Sequence, residues 1–319
     1  MTRIPVLDHD AVLAAVSPAE AIERVREGFV SFARGEWHMP PKVYLPSPPG
    51  GDFRAMPVRG EGLAILKWIT SFPENPRRGY PTVTGVLVVS DAGNGEPLAL
   101  MDARAVTALR TGAAAAVATQ ELAREDSRSV GLVGCGLHGG WVGRCMAEAE
   151  YGPGVCFDPD PDAAGAVAAE LGWDVGDLGD ALACDVVCTI TPGAVPVVDA
   201  AALRPGLHLN LLGADGAGKA EATVEAIGRV LREGHIFCDE WEQASHGGEL
   251  TAPVAEGVLG RDDVTELGQV CAGLAPGREA AAEVTLFDST GLAIQDLAIA
   301  LGALEAVRAG AVKPQTVSL

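Results

Sequence analysis

The chain has 319 residues, of which 48% are hydrophobic, and this is enough apolar material for one large core or two smaller ones. Its net charge of −20 argues against nucleic acid or an anionic membrane as a partner, because phosphates attract basic surfaces. No apolar run reaches the roughly 18 residues that would span a bilayer, and the N-terminus lacks the apolar core of a signal peptide. A cytoplasmic location is therefore expected.

The cysteines do not have the pattern of a disulfide framework or a zinc site. Their number, seven, is odd, and no pair reads C-x-x-C. Most lie in apolar stretches, where buried reduced thiols are the natural interpretation. We therefore predict no disulfide and no metal.

The N-terminal third predicts one helix followed by an antiparallel sheet. Residues 17–20, Ser-Pro-Ala-Glu, have the form of a capping box with proline at the first helical position, and a helix is expected from there to about residue 34. Residues 37–101 contain short β-rich runs separated by proline and glycine. Within them, residues 91–95, Asp-Ala-Gly-Asn-Gly, predict a hairpin turn.

The middle of the chain predicts a long helix and then alternating strands and helices. Asp102 can cap an alanine-rich helix through about Arg124. The alternation that begins at Ser129 is typical of a parallel doubly wound sheet. The predicted strands lie at residues 130–133, 155–157, 185–190, 208–212, 235–239 and 284–287.

The last segment, residues 292–309, is again alanine-rich and helical, and is expected to pack back on the N-terminal region. The predicted class is therefore α/β, with a Rossmann doubly wound NAD-binding domain at residues 121–289. An α+β substrate and dimerisation domain is predicted from both chain ends, at residues 1–120 and about 290–319.

A glycine-rich turn predicts the dinucleotide site. Residues 134–139, Gly-Cys-Gly-Leu-His-Gly, match G-x-G-x-x-G; they follow an apolar strand and precede a helix, and Asp158 ends the next strand. The glycines let a pyrophosphate approach backbone N–H groups at a helix N-terminus. Asp158, with Asp160, would repel a 2′-phosphate, so NAD is expected rather than NADP. A tight turn that binds nothing is the alternative.

Three further polar residues are predicted to be functional. Lys67 interrupts an apolar strand-like run, where a lysine is costly to bury unless it is paired or functional. Arg110 lies in an otherwise uncharged helical stretch, and Asp215 follows a strand, where doubly wound folds bind ligands. The alternatives are a lysine that snorkels from an edge strand, a solvated helix face and a turn-forming aspartate.

Several spaced segments resemble the ornithine cyclodeaminase/mu-crystallin family over nearly the full chain. Within the family, they look most like the branch of archaeal-type alanine dehydrogenases. The segments are residues 39–45 (MPPKVYL), 54–57 (RAMP), 66–68 (LKW), 109–114 (LRTGAA), 213–216 (GADG) and 288–296 (DSTGLAIQD).

The resemblance implies a NAD-dependent reaction at an α-amino acid, in a homodimer. By motif position, Lys67 is similar to the family's catalytic lysine, and Asp215 to its acidic residue in acid/base chemistry. Lys42, Arg54 and Arg110 match positions that surround the substrate carboxylate. The expected cofactor contacts are Arg110, Thr111, Gly134, Gly136, Leu137, His138, Gly139, Asp158, Thr191, Lys219 and Gly291.

Arg54 stands where cyclodeaminases of the family carry a glutamate. An arginine would repel the distal ammonium of ornithine and suits a carboxylate instead. The predicted function is therefore oxidative deamination of a small L-amino acid, L-alanine to pyruvate and ammonia, together with its reverse. A ketimine or imine reductase, an ornithine- or lysine-type cyclodeaminase, and a non-catalytic NAD-binding crystallin-like protein are the alternatives.

Overall fold

The computed structural model describes residues 3–193, 195–216 and 218–318, and the chain divides into two compact units. The terminal unit contains the chain up to Arg110 and again from Leu292. The central unit is Thr111–Gly291. Each unit contains a sheet with helices, so the predicted α/β class, with one domain built from both chain ends, is confirmed.

In chain order, the strands are β1 (Arg3–Leu7), β2 (Val43–Ser47), β3 (Gly51–Gly60), β4 (Leu63–Ser71), β5 (Val83–Asp91), β6 (Pro97–Asp102), β7 (Val130–Val133), β8 (Gly154–Phe157), β9 (Asp174–Val175), β10 (Val186–Thr189), β11 (His208–Leu211), β12 (Gly234–Cys238), β13 (Val264–Glu266), β14 (Val284–Asp288) and β15 (Gln315–Ser318). The α-helices are α1 (His9–Ala15), α2 (Pro18–Ala33), α3 (Ala103–Leu122), α4 (Leu137–Glu148), α5 (Pro161–Leu171), α6 (Leu178–Leu182), α7 (Val224–Glu233), α8 (Trp241–Gly247), α9 (Thr251–Ala255), α10 (Leu267–Cys271) and α11 (Ala293–Arg308). Among the described residues, no helix is long and apolar enough to cross a membrane.

The sheet of the terminal unit has the order β15-β1-β6-β5-β4-β3-β2. Its strands β2 to β6 form the predicted antiparallel meander, and the predicted turn joins β5 to β6. Strands β1 and β15 were not predicted. They come from opposite chain ends and pair with each other, so that each depends on a partner that is remote in sequence.

The predicted first helix is α2. The Ser17 hydroxyl accepts a hydrogen bond from the Glu20 N–H at 3.2 Å, with Pro18 at the first helical position. This helix packs against α11, so the expected return of the last helix to the N-terminal region is confirmed. Because α11 is buried along most of its length, its few polar residues need partners inside the unit.

The sheet of the central unit has the order β13-β12-β14-β11-β10-β7-β8-β9, and each of its described pairings is parallel. The chain moves outward from β7 to β9 and then restarts on the other side of β7 at β10. The carboxyl ends of β7 and β10 therefore form the switch point where doubly wound folds bind ligands. The six predicted strands are present, whereas the short edge strands β9 and β13 were missed.

Buried carboxylates of the central unit include Glu249, which lies beside Glu221. The Glu249 carboxylate accepts hydrogen bonds from the N–H groups of Glu221 (2.6 Å) and Ala222 (3.2 Å). The pKa of Glu249 is raised from 4.5 to about 8, mainly by burial and then by the negative charge of Glu221, while the two backbone hydrogen bonds oppose the rise. The folded protein therefore holds this proton more tightly than the unfolded chain does.

This gives the first prediction. The stabilisation from the Glu249 proton is complete below about pH 4.5 and is lost as the pH rises towards 8. We expect the free energy of unfolding to fall by a few kcal/mol over that range, because one pKa unit corresponds to about 1.4 kcal/mol. Urea unfolding of the Glu249→Gln variant should show a flatter pH dependence. The exposed Glu256→Gln control should keep the wild-type slope, and equal slopes for wild type and Glu249→Gln would contradict the prediction.

Candidate functional site

Lys67 lies in the middle of β4, on the buried face of the terminal sheet. Alternate residues of this strand are buried, and Lys67 takes the position between Ile65 and Ile69 where another apolar side chain would fit. Only 1% of it is exposed, and Met56 of β3 and Leu87 of β5 flank it. The alternative of a lysine that snorkels from an edge strand is therefore wrong.

The Lys67 ammonium forms a buried ion pair with Asp296, in the first turn of α11. Its Nζ lies 2.7 Å from Oδ1 and 2.6 Å from Oδ2 of Asp296, and it also donates to Thr107 Oγ1 at 3.4 Å. Arg110 Nε lies 3.8 Å from Asp296 Oδ1, and a terminal nitrogen of Arg110 donates to Gln295 Oε1 at 3.1 Å. The cations Lys67 and Arg110 thus share the single carboxylate of Asp296. One positive charge is left over, and it can attract an anionic ligand.

The proton affinity of Lys67 is tuned by this environment. The pKa of its amine is lowered from 10.5 to about 8: burial is the main cause, Asp296 opposes the fall, and the charges of Arg110 and Arg54 add to it. A lysine with a pKa close to neutral pH can act as a general acid and a general base.

Asp296 is the charged residue of this cluster that the sequence did not single out. It appeared only within the segment 288–296, and an acid in the first turn of a helix is an ordinary helix-dipole feature. Its partner Lys67 is 229 positions away. The apolar character of α11 could have pointed to Asp296, because an acid in a buried helix needs a partner.

Arg54 is buried on β3, on the same face as Met56. It donates to both carboxylate oxygens of Asp52, at 2.6 and 3.2 Å, and its guanidinium carbon lies 5.5 Å from the centre of the Tyr44 ring on β2. Lys42 directly precedes β2 and is partly buried. The terminal unit therefore groups Arg54 and Arg110 with Lys67, and places Lys42 at the start of the neighbouring strand.

The glycine turn of the central unit has the geometry that its sequence predicted. Gly134 has φ 101°, and a Cβ there would lie 2.6 Å from the carbonyl oxygen of Ile190. A Cβ on Gly139 would meet the Gly134 oxygen at 1.9 Å. A Cβ on Gly136, the N-cap of α4, would meet nothing within 4 Å. The turn is thus closed on its protein side and open at the helix N-terminus, where Leu137 is exposed.

Asp158 follows β8 and holds the glycine turn. Its Oδ2 accepts a hydrogen bond from the Cys135 N–H at 2.7 Å, and its Oδ1 accepts one from the Asp160 N–H at 2.8 Å. His138 is partly buried in the first turn of α4. The acid that was predicted to select the cofactor therefore lies directly against the predicted pyrophosphate loop.

The loops after β10 and β11 carry the other predicted residues. Thr191 follows β10, and Asp215 follows β11 and forms an ion pair with Lys219, with Nζ 2.6 Å from Oδ1. A Cβ on Gly193 would lie 2.9 Å from the Lys219 Cβ, so the two loops touch. Because β7, β10 and β11 are parallel, these loops and the glycine turn occur at the same edge of the sheet.

The last two predicted cofactor residues are well fixed in the central unit. The Gly291 N–H donates to Asp239 Oδ2 at 2.7 Å, just after β14, and Thr111 is buried in α3. The described residues contain no group of three or more histidine, cysteine, aspartate or glutamate side chains that could hold a metal ion.

Comparisons with known proteins find similar chains over nearly the whole length. Alanine dehydrogenase of Archaeoglobus fulgidus is 41% identical over 302 residues, which are 92% of each chain. The solved structure of an archaeal alanine dehydrogenase dimer with bound NAD matches with a TM-score of 0.93 at 39% identity, over the full length of both chains. Δ1-pyrroline-2-carboxylate reductase of Thermococcus litoralis, solved with NADH and L-proline, matches with a TM-score of 0.91 at 28% identity, over 99% of this chain and 100% of that one.

The model of the ornithine cyclodeaminase/mu-crystallin family matches residues 6–311. This span includes the buried Lys67–Asp296 pair, the glycine turn and the loop of Asp215. The resemblance expected from the sequence motifs is confirmed, and the chain belongs to the ornithine cyclodeaminase/mu-crystallin family.

Proposed function

We propose that the protein is a NAD-dependent amino-acid dehydrogenase that interconverts a small L-amino acid, L-alanine, with its keto acid and ammonia. The observation that carries the proposal is the buried Lys67, whose pKa is about 8 and which is held by Asp296 beside Arg110. The glycine turn held by Asp158 supports NAD as the cofactor. The likeness to archaeal alanine dehydrogenases supports alanine as the substrate.

The residues divide the chemistry between them. Arg54 and Arg110, with Lys42, bind the substrate carboxylate, and their charges neutralise it inside an acidic protein. Lys67 accepts a proton and later returns one, while Asp215 helps to deprotonate the amine or the attacking water. NAD bound at the glycine turn would supply the acceptor for the hydride from Cα. The resulting imine takes up water and releases ammonia, which gives pyruvate.

The test is a set of initial rates followed at 340 nm. We expect NADH formation from L-alanine and NAD, and NADH oxidation with pyruvate and ammonia. Turnover of Δ1-pyrroline-2-carboxylate without turnover of alanine would contradict the proposal in favour of an imine reductase. Consumption of ornithine or lysine without net NADH would indicate a cyclodeaminase, and NADH binding without any turnover would indicate a non-catalytic protein.

Asp296 gives a prediction on the pH profile. Oxidation needs Lys67 as a neutral base, so kcat/KM should rise with pH through the pKa of this lysine, near 8. The Asp296 charge raises that pKa, and its removal should lower it. We expect the rising limb of the Asp296→Asn profile to move to lower pH, and that of the Glu305→Gln control on the exposed side of α11 to stay in place. If the rising limb of the Asp296→Asn profile stayed at the same pH or moved to higher pH, the role of Asp296 would be contradicted.

One face of the terminal sheet carries exposed apolar side chains that could form the contact of the predicted homodimer. Val43 and Leu45 of β2, Leu66 of β4 and Val86 of β5 are 61%, 55%, 40% and 37% exposed. The pairing register puts them on the face opposite to Lys67. An exposed apolar sheet face of this kind marks a contact surface, and we propose that a second copy of the chain covers it.

Sedimentation of a variant tests this surface. The wild type should sediment as a dimer, and the double variant Leu45→Glu/Leu66→Glu as a monomer, because burying two carboxylates in an apolar contact is unfavourable. Leu274→Glu is the control, since Leu274 is also an exposed leucine but belongs to the central unit. A double variant that remained dimeric would exclude this face as the interface.

A further inference from the structure

Glu221 is a buried carboxylate of the central unit that has no part in the chemistry described above. Its Oε1 accepts a hydrogen bond from the Thr191 N–H at 2.6 Å. Its Oε2 accepts from Thr189 Oγ1 at 2.7 Å and from the N–H groups of Leu212 and Gly213 at 3.0 and 2.7 Å. One side chain thus bonds the carboxyl ends of the paired strands β10 and β11.

The partners of Glu221 are all donors. An ionised carboxylate only accepts, so it satisfies each of them, whereas an amide would direct an NH₂ group at one or more N–H groups. Burial raises the pKa of this carboxyl, and the hydrogen bonds from Thr189, Thr191 and Gly213 oppose that rise. A Cβ on Gly213 would lie 2.6 Å from the carboxylate. The strand end therefore approaches the acid as closely as a glycine allows.

The backbone of Glu221 is fixed as firmly as its side chain. Its N–H donates to Glu249 Oε1 at 2.6 Å, and its carbonyl oxygen accepts from Val197 and Val198 at 2.7 and 2.9 Å. Such a residue has little freedom to rearrange. It can act as a rigid anchor for the segments that it bonds.

Those segments are the loops of the candidate site. Thr191 begins the loop after β10, and its hydroxyl accepts a hydrogen bond from the Gly193 N–H at 3.1 Å. Gly213 begins the loop that carries Asp215 and Lys219, and Glu221 ends that loop. The carboxylate of Glu221 therefore closes this loop at its base and ties it to the neighbouring one.

We propose that Glu221 is a positioning residue whose carboxylate holds Thr191 and the Asp215–Lys219 loop in the arrangement that receives the dinucleotide. The inference rests on the proposed function for the identity of the cofactor. Glu221 itself touches neither the reacting atoms nor the pyrophosphate turn. Its effect is on affinity, through the shape of two loops.

The experiment measures NADH binding by fluorescence at 25 °C, separately from turnover. We expect the Kd of Glu221→Gln for NADH to rise at least about tenfold, because the loops lose their common charged acceptor and a hydrogen bond to a charged group contributes enough for a change of that size. Hydrogen exchange should accelerate at the N–H groups of Thr191, Leu212 and Gly213. The exposed Glu225→Gln, on the first turn of α7, is the matched control and should bind NADH as the wild type does.

A merely structural role would lower the melting temperature and leave the Kd of the folded protein unchanged. An unchanged Kd in folded Glu221→Gln would therefore overturn the inference. If Glu221→Gln does not fold, the variant Thr189→Val removes only one hydrogen-bond donor to Glu221 and should still weaken NADH binding. An unchanged Kd in Thr189→Val would also overturn the inference. A wild type that binds NADH but oxidises no amino acid would contradict the proposed function and leave this inference in place.

Discussion

The Lys67→Met variant is expected to lose about 10²–10⁴-fold in kcat/KM for amino-acid oxidation while it still binds NADH. This is the usual contribution of a positioned general acid/base, and methionine keeps the length of the side chain without the amine. Initial rates at 340 nm with saturating NAD measure the loss. The exposed Lys313→Met is the matched control and should retain wild-type rates.

The same substitution leaves Asp296 buried without its main counter-ion. Breaking a buried pair in this way costs about 3–5 kcal/mol, which could unfold the protein and imitate a catalytic defect. The double variant Lys67→Met/Asp296→Asn removes both charges and should recover most of the lost stability in a thermal melt. It should remain inactive, because the amine is still absent. Turnover near the wild-type rate in either variant would exclude Lys67 as the acid/base.

The Asp158→Asn variant is expected to lower the preference for NAD over NADP by about 10- to 100-fold. A carboxylate about 4 Å from a 2′-phosphate repels it by about 1–4 kcal/mol, depending on the local dielectric, and asparagine removes that charge. Asparagine also keeps an oxygen that can accept from the Cys135 N–H, so the glycine turn retains this hydrogen bond. The ratio of kcat/KM for the two cofactors is the measurement.

Asp162→Asn provides the control for cofactor choice. Asp162 lies in the exposed first turn of α5, close in sequence to Asp158, and its substitution changes the net charge equally. Its NAD to NADP ratio should equal that of the wild type. An unchanged ratio in Asp158→Asn would show that another residue selects the cofactor.

Local patterns determined the parts of the protein that need only neighbouring residues. The N-cap of α2, the turn between β5 and β6 and the glycine turn before α4 each depend on a few consecutive positions, and all three formed where they were predicted. Only the Ser17 half of the predicted capping box is present, since the Glu20 side chain pairs with Arg24 instead. The Asp52–Arg54 pair was equally accessible, since residues i and i+2 of a strand share a face, but it was overlooked.

The tertiary structure alone decided which groups meet. Lys67 and Asp296 are 229 positions apart, and Glu221 reaches Thr191 across 30. Neither pair leaves a periodic trace in the sequence, because a single buried polar residue looks the same whether or not it has a partner. Burial makes such a pairing necessary, since an uncompensated charge inside a fold is unfavourable, and only the folded chain shows which residue provides it.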